Sequence, residues 1–270
     1  MKKLNDKRKK QISKKKKDYI PEQNQKARPI EMGNFKRYLK KEDAICKLLT
    51  DAGTATGFIC QTKMKDKIMK FLFTNNHILD ESKIKIGSNI KIKDKDDIKI
   101  INNRFVCTNE ELDYTCIEIF DNEKFEKYFI IDHDINCDNP FEEYKDDLIV
   151  IMQYPGNKDL SIAEGKIIEF KKDNNDNTYI IHSVSTEQGS SGSPIILSNR
   201  NLNVIGIHLG AIKDYNKAVY FKNVLEDIEK QYSNFIEKNI NIKPRETNKI
   251  RTKILEKYSF KQFVKKELKW

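Results

Sequence analysis

A serine set between two glycines is the residue in this 270-residue sequence that is best suited to chemistry. Residues 189–194 read Gly-Ser-Ser-Gly-Ser-Pro, and glycine adopts backbone angles that are closed to other residues. A tight loop of this composition exposes the hydroxyl of Ser191 beside backbone N–H groups. We therefore predict Ser191 as an acyl-transfer nucleophile, with the backbone N–H groups of Gly189 and Ser191 as the oxyanion hole. Taken alone, such a cluster is also typical of an ordinary turn, so the prediction needs partner residues.

The four histidines supply one candidate for the base that a serine nucleophile needs. His77 follows an apolar strand predicted at residues 71–74, across a polar corner, and this places an imidazole at the edge of a cleft. His133 lies in an acidic loop and is interpreted as solvated, and His182 lies inside a predicted strand, where a structural role is expected. His208 fits a different role, given below. The pattern predicts His77 as the base.

The acid that orients the base is predicted to be Asp113. It stands at the start of an alternating strand at residues 114–120, where a buried carboxylate fits. The alternatives are Asp96 and Asp97, but they lie in a lysine-rich segment that is typical of a solvated hairpin tip. The predicted catalytic set is therefore His77, Asp113 and Ser191.

Two series of short alternating runs predict an all-β fold of two six-stranded antiparallel barrels with the active site between them. The first series lies at residues 45–50, 56–61, 71–74, 84–86, 98–105 and 114–120. The second series lies at residues 148–152, 166–170, 179–184, 195–197, 204–208 and 218–221. The apolar spacing of Val224, Leu225, Ile228 and Phe235 predicts a closing helix after the last strand.

The order His77, Asp113, Ser191 resembles that of the chymotrypsin-like serine peptidases. The C-terminal half is most similar to the bacterial glutamyl endopeptidases, whose signature is Ser-Thr, two residues, Gly-x-Ser-Gly-Ser-Pro, then Val-Ile-Gly-Ile-His and Asn-x-Ala-Val-x-Phe. These motifs stand here at residues 185–186, 189–194, 204–208 and 216–221. The resemblance covers residues 41–237 and implies a chymotrypsin-like serine peptidase.

The resemblance also implies which residues bind the substrate side chain. In the glutamyl endopeptidases, the matching threonine and histidine bind an acidic P1 side chain; here they are Thr186 and His208, and Gly210 is assigned to the same S1 pocket. Viral chymotrypsin-like cysteine peptidases use a similar pair for glutamine, so Glu and Gln both stay open. A hydroxyl and an imidazole N–H can donate to either group without a buried Lys or Arg. The bacterial enzymes also use a freed N-terminal amine, which the long basic tail of this chain does not match unless it is clipped.

Positive charge is concentrated at the two ends of the chain. The first 40 residues hold 15 Lys and Arg against 4 Asp and Glu, although the whole chain has a net charge of only +10. This segment predicts a disordered tail that is either simply solvated or contacts nucleic acid or an acidic surface. We expect a tail at 1–40, a peptidase domain at 41–237 and a basic amphipathic extension at 238–270. Within the domain, the first barrel covers about 41–130, the second about 145–222 and the closing helix 223–237.

The remaining composition indicates an intracellular protein without a cofactor. Five cysteines, an odd number, and no apolar secretory signal favour reduced thiols in the cytoplasm or nucleus. Cys107, Cys116, His133 and Cys137 match no compact zinc motif, so we expect no metal. We also expect no transmembrane segment, because no run of about 18 apolar residues is present.

Two function classes are compatible with these observations. The first is an intracellular serine endopeptidase that cleaves peptide or protein substrates after Glu or Gln. The second is a catalytically silent protease-fold binding protein whose tail or cleft holds a partner. A complete triad favours catalysis, because a protein that only binds has no need of all three residues. Reaction with a serine-directed fluorophosphonate separates the two classes.

Overall fold

The computed structural model describes residues 30–241, and strands dominate this range. The described chain divides into two compact units, one that runs up to Ile228 and one that begins at Glu229. Every strand and every predicted site residue belongs to the first unit. Residues 1–29 of the predicted tail at 1–40, with its expected partners, and residues 242–270 of the predicted extension at 238–270 lie outside the described residues.

The first half of the described chain forms an eight-stranded sheet. Its strands are β1 (Ile45–Thr50), β2 (Gly53–Met64), β3 (Lys67–Thr74), β4 (Asn89–Ile92), β5 (Ile98–Lys99), β6 (Val106–Asn109), β7 (Tyr114–Ile119) and β8 (Phe129–Ile130). Neighbouring strands follow the order β5-β4-β1-β2-β3-β7-β6, and β8 pairs in parallel with β2. Two-residue turns join β1 to β2 and β2 to β3, so these strands pair in one fixed register.

Both faces of the central strands of this sheet are buried. One face contributes to a core cluster that includes Leu48, Ile59, Leu72 and Ile117. On β2 and β3, Phe58 and Phe73 stack with ring centroids 5.6 Å apart, and Phe221 lies 5.0 Å from Phe73. Such packing on two sides holds the ends of β3 and β7 in place, and the predicted base and acid lie at these ends.

The second half forms the predicted six-stranded closed barrel. Its strands are β9 (Leu148–Gln153), β10 (Ser161–Lys172), β11 (Thr178–His182), β12 (Pro194–Leu197), β13 (Val204–Ile212) and β14 (Tyr215–Tyr220). The barrel closes in the order β10-β11-β14-β13-β12-β9. Because β14 lies between β11 and β13, the residues His182, Asn216 and His208 stand on three neighbouring strands.

The all-β, chymotrypsin-like fold predicted from the sequence is confirmed, with differences in the first half. There the strands form an eight-stranded sheet instead of a closed six-stranded barrel. The segment predicted as a strand at residues 84–86 forms turns, and β4 begins three residues later. The cause is local: Gly87 has a φ of +95° that breaks extended structure, and Ile86 is 70% exposed.

The described chain also contains α1 (Met32–Leu39), α2 (Pro140–Tyr144) and α3 (Phe221–Asn241). Helix α1 lies inside the segment predicted as a disordered tail, so that prediction is wrong for these residues. The physical reason is Tyr38, which is fully buried and whose hydroxyl donates to Glu164 Oε1 at 2.9 Å. The same hydroxyl lies 2.8 Å from Ser198 Oγ, and both partners are far along the sequence.

Helix α3 is the predicted closing helix, and it begins two residues before the expected start at 223. Val224 and Ile228 are buried, as their apolar spacing indicated. Within residues 30–241, no helix combines the length and the apolar composition that crossing a membrane needs.

Candidate active site

The predicted base and acid, His77 and Asp113, lie side by side. Strands β3 and β7 pair with Thr74 opposite Thr115, so the segment after β3 meets the residue before β7. His77 Nδ1 lies 2.7 Å from Asp113 Oδ2, and the backbone N–H of His77 donates to Asp113 Oδ1 at 2.9 Å. Both carboxylate oxygens of Asp113 thus accept from His77, one from the backbone N–H and one from Nδ1. Nε2 of His77 is left for another partner.

Asp113 stands in a constrained turn. Its φ of +54° lies in the left-handed region, which is uncommon for residues other than glycine. Asn75 Nδ2 donates to the carbonyl oxygen of Asp113 at 2.9 Å, and this bond fixes the turn against the end of β3. The Asp113 side chain is 24% exposed, so it is less buried than the sequence pattern predicted.

Asp227 in α3 braces the hairpin that carries Asp113, and the sequence did not point to it. Its Oδ2 accepts hydrogen bonds from Asn109 Nδ2 at 2.9 Å and from the hydroxyl of Tyr114 at 2.7 Å. Burial raises the pKa of Tyr114, so the hydroxyl keeps its proton and remains a donor. Asp227 therefore holds both strands of the β6–β7 hairpin, next to the predicted acid.

The predicted nucleophile lies in a loop packed against the end of β3. Gly189 and Gly192 have φ angles of +95° and +86°, which favour glycine. A Cβ at Gly192 would overlap a main-chain oxygen of β2 and the Oγ1 of Thr74. The loop therefore approaches the first sheet this closely only because residue 192 is glycine. Since Thr74 precedes His77 by three residues, Ser191 adjoins the segment that carries His77.

The hydroxyl of Ser191 donates to the carbonyl oxygen of Leu209 at 3.5 Å. Among the hydrogen bonds of residues 30–241, none joins Ser191 Oγ to the imidazole of His77. Catalytic hydrogen bonds are often long or poorly aligned before substrate binds and tighten in the complex. For a proton to pass to His77, the hydroxyl has to turn away from Leu209.

The backbone N–H of Gly189 is aimed by the carbonyl on the other side of its peptide bond. That carbonyl, of Gln188, accepts from the N–H of Gly156 at 2.6 Å. The peptide is trans, so the N–H of Gly189 points away from Gly156. This N–H makes no hydrogen bond within the described part of the chain, which leaves it available to an anion.

The backbone N–H of Ser191 is aimed in the same way. The preceding carbonyl, of Ser190, accepts from both the N–H of Ser193 at 3.1 Å and its hydroxyl at 2.6 Å. The N–H of Ser191 therefore points away from Ser193, and it too has no partner among residues 30–241. Two N–H groups two residues apart in one loop match the donors expected for an oxyanion hole.

The first predicted S1 residue, Thr186, is buried and has a fixed hydrogen-bond direction. The side-chain amide of Asn216 donates through Nδ2 to the carbonyl oxygen of Val184 at 2.7 Å, so its Oδ1 faces Thr186. The hydroxyl of Thr186 donates to this Oδ1 at 3.0 Å. The hydroxyl proton is thus used inside the protein, so the prediction that Thr186 donates to the substrate does not fit this hydrogen bond. A substrate would instead meet the lone pairs of Thr186 Oγ1.

The second predicted S1 residue, His208, pairs with His182, for which a structural role is expected from the sequence. His182 Nδ1 accepts from the backbone N–H of Val184 at 3.3 Å, and its Nε2 lies 3.3 Å from His208 Nδ1. Burial, together with the nearby His208, holds the pKa of His182 well below 6.5. The neutral His182 therefore carries its proton on Nε2 and donates it to His208 Nδ1. Because Nδ1 of His208 accepts this bond, His208 carries its own proton on Nε2.

Gly210 lies beside these residues, at a register shift in β13 between His208 and Gly210. Its φ is +150°, and a Cβ there would meet no heavy atom of the described chain within 4 Å. The space in front of Gly210 is therefore open, as the edge of a substrate-binding site requires.

One group of residues in the described range has the spacing of metal ligands, and it lies outside this site. Asp132, His133 and Asp134 have side-chain ligand atoms within 4.8 Å of one another. The Asp132 carboxylate already accepts from the hydroxyl of Tyr144 at 3.0 Å and from Asn203 Nδ2 at 3.1 Å. These bonds account for the buried acid without an ion.

Comparison with known proteins assigns the family. Residues 55–207, more than half of the chain, match the family model described as the trypsin-like peptidase domain. The chain therefore belongs to the trypsin-like peptidase family. A search of the curated proteins found no significant match.

Solved structures of serine proteases share the fold. The Rv3671c protease of M. tuberculosis, in its inactive form, has a TM-score of 0.54 at 16% identity over 78% of this chain and 98% of that chain. A serine endoprotease from Yersinia pestis has a TM-score of 0.53 at 13% identity, with 75% of this chain and 68% of that one covered. The HtrA-type protease AlgW with a decapeptide has a TM-score of 0.53 at 13% identity, with 76% and 68% covered. At these identities the likeness is one of fold, and the glutamyl endopeptidase resemblance rests on sequence motifs alone.

Proposed function

We propose that this protein is a serine endopeptidase in which Ser191 is the nucleophile, His77 the base and Asp113 the acid that orients the base. The observation that carries the proposal is the two-point contact of Asp113 with His77, at 2.7 and 2.9 Å. The Ser191 loop, which Gly192 allows to pack against the end of β3, supports the same assignment. Membership of the trypsin-like peptidase family supports the reaction class.

In the proposed mechanism, His77 Nε2 removes the proton of Ser191 while Oγ bonds to the carbonyl carbon of the substrate. The carbonyl electron pair moves to oxygen, and the N–H groups of Gly189 and Ser191 donate to the resulting oxyanion. When the tetrahedral intermediate collapses, the amine leaves with the proton from His77, and Ser191 carries the acyl group as an ester. A water molecule, deprotonated by His77, then attacks the ester; the bond between the acyl carbon and Oγ breaks as His77 gives the proton to Oγ, which releases the acid and restores Ser191. Asp113 keeps the Nδ1 proton in place and stabilises the imidazolium.

For the substrate, we propose a P1 residue of Glu or Gln, with the hydrogen-bond directions favouring Gln. Thr186 Oγ1 offers an acceptor, because its proton goes to Asn216. His208 offers a donor through Nε2, because its Nδ1 accepts from His182. One acceptor and one donor match a side-chain amide, whose N–H₂ donates and whose oxygen accepts. A carboxylate can accept from His208 but meets a lone pair at Thr186.

The experiment that tests the reaction is labelling of the pure protein with a serine-directed fluorophosphonate, followed by peptide mapping. We expect one label on Ser191 and loss of labelling in both Ser191→Ala and His77→Ala. Ser161→Ala serves as the control, because Ser161 begins β10 and its Oγ donates to the carbonyl oxygen of Asp159 at 3.1 Å, so labelling should persist. A protein that is folded but takes no label would support the alternative, a protease-fold binding protein, and a label on another serine would contradict the assignment.

A further inference from the structure

Thr56 in β2 makes a pair of buried hydrogen bonds that the proposed mechanism does not use. Its side chain is fully buried. The hydroxyl donates to the carbonyl oxygen of Gly189 at 2.8 Å and accepts from the backbone N–H of Tyr154 at 3.0 Å. Because a hydroxyl has one proton, the bond from Tyr154 fixes the direction in which Thr56 donates, which is toward Gly189.

The main chain of Thr56 contacts the same loop. Its N–H donates to the carbonyl oxygen of Ser191 at 3.1 Å, and its own carbonyl accepts from the hydroxyl of Thr74 at 2.9 Å. Thr56 therefore binds Gly189, the predicted nucleophile Ser191, and Thr74 at the end of β3, the strand that precedes His77.

Gly189 needs such a contact because glycine has wide backbone freedom. The peptide before it is held by the bond from the N–H of Gly156 to the carbonyl of Gln188, at 2.6 Å. The peptide after it is held by the bond from Thr56 to the carbonyl of Gly189. With both flanking peptides held, the φ of +95° at Gly189 is fixed, and so is the direction of its N–H. Without the second bond, the peptide after Gly189 can rotate, and the single bond from Gly156 is left to hold the Gly189 N–H against a flip of its peptide.

We propose that Thr56 is a positioning residue whose hydroxyl fixes the Gly189 peptide in the orientation that completes the oxyanion hole. The inference rests on the proposed function, because Thr56 would hold one of the two N–H donors of the proposed oxyanion hole. Thr56 touches no reacting atom; it acts through Gly189. The first sheet then supplies, besides His77 and Asp113, the hydrogen bond from Thr56 that sets the shape of the Ser191 loop in the second barrel.

The test compares Thr56→Val, which keeps the shape and loses the hydroxyl, with Thr56→Ser, which keeps the hydroxyl. We expect Thr56→Val to lower kcat for a peptide amide about 10- to 100-fold with little change in KM, because an oxyanion donor acts mainly in the transition state. A peptide aldehyde, whose adduct with Ser191 carries the oxyanion, should bind more weakly by a similar factor. Thr56→Ser should restore both values to near the wild type.

The matched control is Thr115→Val. Thr115 is also a fully buried threonine of the first sheet, and its hydroxyl donates to the carbonyl oxygen of Leu79, away from the Ser191 loop. We expect this variant to lose melting temperature as Thr56→Val does, but to keep the ratio of aldehyde affinity to substrate KM. If Thr56→Val has wild-type kcat, or if Thr56→Ser fails to restore it, the proposal is overturned. If Thr56→Val does not fold, Thr56→Ala takes its place in the same comparison.

Hydrogen exchange of the amides in residues 187–193 separates this proposal from the proposed function. If the wild type neither reacts with the fluorophosphonate nor cleaves peptides, the proposed peptidase function is contradicted. The hydrogen-exchange rates alone then test the positioning role of Thr56. Faster exchange of this loop in Thr56→Val, and wild-type exchange in Thr56→Ser and Thr115→Val, supports the positioning role. Equal exchange in all four proteins overturns it, because the loop would then hold its shape without the hydroxyl.

Discussion

Asp113 binds His77 through both of its carboxylate oxygens, one to the imidazole and one to the backbone N–H. The backbone bond orients the carboxylate independently of the ring. The second oxygen then has a single direction in which to accept from Nδ1, and this selects the tautomer with its lone pair on Nε2. The relationship therefore gives the imidazole the protonation pattern that a general base needs.

The first prediction is that Asp113→Asn lowers kcat by about 10⁴ without unfolding the protein. If the side-chain amide of the Asp113→Asn variant turns its N–H₂ group toward Nδ1 of His77, it stabilises the wrong tautomer of the imidazole. If it turns its N–H₂ group toward the backbone N–H of His77, the hydrogen bond to that N–H is lost. Steady-state kinetics with a peptide amide measure the effect. Asp97→Asn is the control, because Asp97 is exposed in the segment that joins β4 to β5. Loss of activity in the Asp97 variant, with Asp113→Asn active, would show that the acid has been assigned wrongly.

The second prediction concerns the P1 residue. In a peptide library, cleavage after Gln should exceed cleavage after Glu by about 10-fold or more, and both should exceed cleavage after Lys, Arg or Leu. The double variant Thr186→Val with His208→Leu should lose this preference and still react with the fluorophosphonate, which needs only the triad. A library profile dominated by Arg and Lys would rule out the predicted S1 pocket.

A single variant tests the hydrogen-bond direction behind this preference. Asn216→Leu removes the acceptor that takes the proton of Thr186. The freed hydroxyl can then donate to a carboxylate, so the ratio of Glu to Gln cleavage should rise. Assay of paired peptides that differ only in P1 measures the ratio, and an unchanged ratio would mean that Asn216 does not set the direction.

The residues that could be predicted from the sequence are those whose role depends on local backbone geometry. Gly189 and Gly192 mark the nucleophile loop because their positive φ angles need glycine. His77 and Asp113 follow and precede apolar strands, and the strand pattern alone places them at strand ends. The closed second barrel can be predicted because short apolar runs, such as those of β9 and β12, are separated by segments with turn residues.

The residues that were missed act across long sequence separations. Asp227 binds Tyr114 at a separation of 113 residues, and Asn216 directs Thr186 across 30 residues. His182 reaches His208 only because β14 lies between their strands and the barrel curves. Helix α1 is ordered by contacts of Tyr38 to residues 126 and 160 positions away. The periodicity of the sequence cannot predict these contacts, because they depend on how distant segments are arranged in the fold.

The third prediction is that acid destabilises the protein through His182. Its pKa is held well below 6.5 in the folded state, while an unfolded histidine takes up a proton near 6.5. The contribution to stability is thus complete above pH 6.5 and is lost as the pH falls below it. Below pH 6.5, the free energy of unfolding should fall by about 1.4 kcal/mol per pH unit from this group.

Urea unfolding between pH 7.5 and 5.5 measures this dependence. His182→Gln, which does not titrate, should show a shallower fall than the wild type. His133→Gln is the control for the loss of a histidine from an exposed position, because the His133 side chain is 77% exposed. Equal slopes in the wild type and His182→Gln would contradict the prediction.

The fourth prediction separates close packing at Gly192 from the strain of a positive φ. Gly192→Ala and Gly87→Ala both place a side chain at a positive φ, +86° and +95°. Each should therefore lose about 1 to 2 kcal/mol of unfolding free energy for that reason alone. A Cβ at residue 87 meets no described atom within 4 Å, whereas one at residue 192 overlaps β2 and Thr74. Gly192→Ala should thus be clearly less stable than Gly87→Ala.

Gly192→Ala and Gly87→Ala should differ more in kcat than in the free energy of unfolding. In Gly192→Ala the loop has to move away from the first sheet, and a shift of about 1 Å between nucleophile and base is expected to cost about 100-fold in kcat. Gly87→Ala leaves that distance alone and should keep wild-type kcat. Urea unfolding and steady-state kinetics on the same preparations give both values. If Gly192→Ala loses stability and keeps its kcat, the close approach of the loop to β3 supports folding and not the alignment of Ser191 with His77.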